Sequence, residues 1–78
     1  MPKFYFDISE RDGSLTLDTV GAELSSATAA RSLASQAVLD LASDHALKEI
    51  EFQIGIVVRD EQGDEVCRRF ARFSGTDI

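Results

Sequence analysis

From Glu49 to Arg59 the chain alternates without a break. Ile50, Phe52, Ile54, Ile56 and Val58 fall on one side, and Glu51, Gln53, Gly55, Val57 and Arg59 on the other. Period two in residues that favour extended backbone predicts a strand with one buried face. Just upstream, Ala27 to Ala46 contains neither Gly nor Pro and is rich in Ala and Leu, which predicts a helix. At 100° per residue, Ala30, Leu33, Ala34, Ala37, Val38 and Leu41 converge on one stripe. A rod of about 20 residues is ~30 Å long, and a nine-residue strand is about as long, so one helix covers one strand end to end. The small residues of the stripe suit close approach to a sheet whose own side chains are bulky.

Three further strands complete the pattern. Lys3 to Ser9 alternates, with Phe4, Phe6 and Ile8 on one face and Tyr5 and Asp7 on the other. Asp12-Gly13 is a hairpin turn signal, and Ser14 to Asp18 is the short returning strand, with Leu15 and Leu17 expected on the buried face. Ser26 is the expected N-cap of the helix. Asp60 to Asp64 forms a second turn with Gly63 at its left-handed position, and Glu65 to Phe73 returns as the last strand. The expected fold is α+β, ββαββ: one domain over residues 1–78, with strands about 3–9, 14–18, 49–59 and 65–73 and a helix about 27–46. Strand order 2-1-3-4 makes every neighbour antiparallel, and a right-handed crossover places the helix on one face.

The chain of 78 residues supports only a small core. A single Cys and a single His leave no disulfide framework and no zinc cluster of those ligands. No apolar run approaches the length of a membrane span, and the opening Met1-Pro2-Lys3 leads straight into a strand pattern, so a cytoplasmic location is expected. The formal charge of -6 opposes binding to nucleic acid or an anionic membrane, although a local patch escapes that rule.

One helix covers only one face of a four-stranded sheet. In an unbroken register, Val66, Arg68, Phe70 and Arg72 share the helix-side face of the last strand, with the arginines protecting its edge. A β-bulge near Arg68 is the alternative register. In the unbroken register the open face carries Tyr5, Val57, Cys67, Ala71 and Phe73, interleaved with Asp7, Gln53 and Arg69. An apolar patch of that kind marks a contact surface, so a homodimer or a protein partner is expected there or along an edge.

The candidate chemistry is sparse, and no enzymatic activity, cofactor or metal is expected. His45 and Cys67 are a conceivable base and thiol, but they fall on different elements with no third orienting group. Asp7, Asp12, Asp18 and Glu23 are acids around the first hairpin, without the spacing of a known ligand set. Arg68, Arg69 and Arg72, with Arg59, Tyr5 and Phe73, form the basic patch a nucleic-acid platform would need. Its competing explanation is edge protection with ion pairs to Glu51, Asp64 or Glu65.

Taken together, Pro2-Lys3-Phe4-Tyr5-Phe6-Asp7, Asp12-Gly13, Asp18 to Leu24, Ala29-Ala30-Arg31 and Val58 to Gly63 resemble a family of short bacterial domains of unknown function. The likeness covers about residues 2–73, with Val20 where a second acid would be expected. It implies the same compact α+β fold and no assigned activity. The first half is also similar to antitoxin domains in topology alone, which implies no functional residue.

Overall fold

The computed structural model describes residues 1–78. Its elements run β1 (Lys3–Glu10), β2 (Leu15–Thr16), β3 (Ala22–Glu23), α1 (Ala27–Ala46), β4 (Glu51–Arg59) and β5 (Glu65–Ser74). The fold is α+β with one helix, but the antiparallel sheet has five strands where four were expected. Its order is β2-β1-β4-β5, and β3 also pairs with β1. The returning strand breaks in two: β2 pairs with the end of β1 and β3 with its beginning, and residues 17–21 leave the ladder between them.

Both hairpins close alike. Gly13 and Gly63 each have φ +87°, and each N–H donates three residues back, to the carbonyls of Glu10 and Asp60. Glu10 N–H bonds the Ser14 carbonyl, and Asp60 N–H bonds the Asp64 carbonyl. These are three-residue loops with glycine in the left-handed position, where a Cβ would be strained.

Ser26 caps α1 by accepting from the Ala29 N–H at 3.1 Å. The helix ends at Leu47, and the N–H groups of Lys48 and Glu49 turn back to the His45 carbonyl. Ala30, Ala34 and Val38 are its buried residues. They pack on Phe52, Ile54, Ile56 and Val58 of β4 and on Phe4 of β1, which together make the core. Leu33 of the expected stripe stays exposed, as do Leu15 and Leu17, which were expected inside. In the register Ser9↔Leu15, the Leu15 side chain stands with Ser9 on the face away from the helix.

The last strand takes the bulged one of the two registers the sequence left open. Val58 pairs with Cys67, but Arg59 pairs with Glu65, so Val66 is an extra residue. A one-residue bulge reverses the alternation of everything beyond it. Cys67, Arg69, Ala71 and Phe73 therefore face the helix side, opposite Val58, Ile56, Ile54 and Phe52. Arg68, Phe70 and Arg72 face away from it, opposite Val57, Gly55 and Gln53. The physical reason lies in the core. The unbroken register would place two arginines beneath α1, whereas the bulge turns in Ala71 and Cys67, both of which pack on the core.

Candidate functional site

The sheet face away from α1 has two ends with different character. At one end, Tyr5, Asp7 and Arg59 project together, because Tyr5↔Arg59 and Asp7↔Val57 are cross-strand pairs. Asp7 is only 3% exposed. Its carboxylate accepts from Arg59 Nε at 2.8 Å and Nη2 at 3.3 Å, and from the Asp18 N–H at 2.8 Å. Arg59 also donates to the Asp18 carbonyl at 2.9 Å, and its guanidinium lies 4.6 Å from the centre of the Tyr5 ring. The hydrogen bond to Asp7 holds the Arg59 proton more firmly than in a free arginine.

Asp18 repairs the ladder where β2 and β3 part. Its Oδ2 accepts from the Phe6 N–H at 3.1 Å, a donor between the two paired stretches of β1. Its Oδ1 accepts from the Val20 and Gly21 N–H groups. Donation from Gly21 and Phe6 holds the Asp18 carboxyl below its ordinary 3.8. Gly21, at φ +76°, lies so close that a Cβ would come within 2.9 Å of Lys3 and Tyr5. Three segments of the family-like sequence pattern thus meet in one clamp: Asp7, the Asp18 to Gly21 excursion and Arg59. The sequence placed Asp7 and Asp18 together among the acids of the first hairpin and Arg59 with Tyr5, but not Arg59 with the two acids.

At the other end nothing covers the face. A cross-sheet row runs Leu15–Ser9–Gly55–Phe70. Phe70 lies across Gly55, where a Cβ would meet its ring at 2.5 Å, and Phe70 remains 54% exposed. Arg68 and Arg72 flank it on the same strand and face. Arg68 Nε donates to Glu65 at 2.7 Å, whereas Arg72 makes no ion pair or side-chain hydrogen bond.

The five residues expected as an apolar interface therefore separate. Tyr5 and Val57 stay on the open face, half-buried, while Cys67, Ala71 and Phe73 sit on the helix side. The expected basic patch separates too. Arg69 turns to the helix side and donates to Ser35 Oγ at 3.0 Å and to the Arg68 carbonyl at 2.9 Å. Phe73 stacks on Phe52, and it lines a mostly apolar groove of about 230 Å³ between α1 and β5, with Leu39, Ala42, Ala46 and Ala71.

The other candidates are occupied locally. His45 pairs with Glu49 at 2.8 Å and packs on Phe52, while Cys67 lies opposite Val58. Six strand residues, about 20 Å, separate those two positions on β4. Ser14, through its side chain first and then through its N–H, which donates to Asp12 at 2.8 Å, holds the Asp12 carboxyl below its ordinary value, and Glu23 stands opposite Lys3. No three His, Cys, Asp or Glu side chains are grouped to hold a metal ion. No helix is long and apolar enough to cross a membrane.

No curated protein and no solved structure matches the chain. A family model described as a domain of unknown function, DUF6894, matches residues 3–70, nearly the whole of the β1-to-β5 fold, and the chain belongs to that family.

Proposed function

We propose that the protein is a non-enzymatic interaction module that self-associates through β5. The observation that carries this reading is the condition of that strand. β5 pairs only with β4, so its outer edge has no strand partner. Exposed apolar side chains stand on both sides of it: Phe70 on the open face, and Phe73 and Leu39 beside the helix-side groove. An edge strand of ten residues with an adjacent apolar groove suits strand addition, in which backbone hydrogen bonds supply affinity and side chains fill the groove. The polar clusters support the same reading, because Asp7, Asp18 and Arg59 spend their hydrogen bonds on closing the fold.

Light scattering across the micromolar range tests this. The expected result is a dimer that Phe73→Asp converts to monomer while circular dichroism stays unchanged. A strict monomer at all concentrations overturns the reading.

A further inference from the structure

We propose that Arg68, Phe70 and Arg72 form a binding site for single-stranded nucleic acid on the open face of the sheet. The bulge at Val66 carries the argument, because it turns these three side chains, at positions i, i+2 and i+4 of β5, from the helix side onto the open face. Each arginine is therefore ~6.8 Å along the strand from the phenylalanine between them. Phe70 lies over Gly55, with more than half of its surface open. An aromatic ring on a sheet face stacks an unpaired base, and flanking arginines meet the phosphates on either side. A flat sheet face favours a single strand, since a duplex presents no free base plane to the ring.

Charge complementarity supports the assignment despite the net -6. The residues of β4 opposite this row are Val57, Gly55 and Gln53, none of them acidic. The open-face carboxylates of β4 and β1, Glu51 diagonal to Arg72 and Asp7 beyond Val57, are paired with Arg11 at 3.1 Å and with Arg59 at 2.8 Å. Arg72 has no carboxylate partner, and the Glu65 pair of Arg68 is exposed and exchangeable. The surface around Phe70 is thus locally basic on an acidic molecule. Arg72 also lines the helix-side groove, so the two readings are separated at Phe73, which lies on the helix side and outside this site.

Fluorescence anisotropy of the full chain with labelled single-stranded oligo(dT) and oligo(U), at low ionic strength, tests the site. Binding is expected to fall with salt, with a log–log slope of about -1.4 for two neutralised phosphates. Phe70→Ala should weaken binding about tenfold, Phe70→Trp should retain it, and Arg72→Gln should reduce the slope by about 0.7. All three changes are at exposed positions, and circular dichroism checks that the fold is kept. Failure of both strands to bind at low salt overturns the proposal. So does binding that Phe70→Ala leaves intact, or equal binding of a polyglutamate peptide, which would mark a surface selecting charge alone. Self-association measured on the same samples shows whether the β5 reading stands independently of this result.

Discussion

Asp18 shows how one side chain substitutes for a stretch of strand. Its carboxylate takes the Phe6 N–H that a continuous partner strand would have taken, and it binds the turn that follows. Because these donors favour the charged form, the folded chain binds this proton more weakly than the unfolded chain does. The stabilisation is present above the unfolded value near 3.8 and is lost as pH falls through the lower folded value. The urea midpoint of the wild type should therefore fall on acidification through this window, and Asp18→Asn should flatten that dependence. Gly21 gives a second prediction at this scale. Gly21→Ala meets both a left-handed φ and a contact at 2.9 Å with Lys3 and Tyr5. It should cost about 2 kcal/mol in chemical denaturation. Gly13→Ala, with nothing within 4 Å of the new Cβ, should cost about 1 kcal/mol.

Helix α1 is long enough to be read from composition, yet its role depends on how little its buried face protrudes. Ala30 and Ala34 are fully buried beneath a sheet face carrying Phe52, Ile54, Ile56 and Val58. Large residues on the strand meet small ones on the helix, which lets the two backbones approach. Ala34→Leu should lower stability by about 2 kcal/mol in a denaturant titration, because the added carbons have no space without lifting α1. Strand β5 is the opposite case. Its doublet Arg68-Arg69 breaks the alternation, and the extra residue Val66 decides which arginine turns inward. Arg69 does so with its polar head satisfied by Ser35 and the Arg68 carbonyl. The bulge thus assigns one cation to closing the helix–sheet seam and two to the open surface.

The whole molecule is thin. Only ten of 78 residues are buried, so the core contributes a narrow margin and long-range charge bears on stability. The acidic excess repels itself in the compact state. Added NaCl should raise Tm by about 3 °C, roughly half a kcal/mol for a chain of this size. Differential scanning fluorimetry checks this, and a Tm that falls with salt would show that the surface ion pairs outweigh the repulsion. Local patterns were legible because they are written in consecutive residues: the helix from its unbroken Ala-rich run, the central strand from its period of two, and both hairpin turns from their glycines. The Asp7–Asp18–Arg59 clamp was not legible, because its members lie up to 52 residues apart and meet only once β1 and β4 pair. The facing of the last strand needed the same long-range pairing. Alternation states that side chains take turns but not which turn comes first. That choice is made where Val66 slips out of register against β4, since only packing against α1 discriminates a buried alanine from a buried arginine.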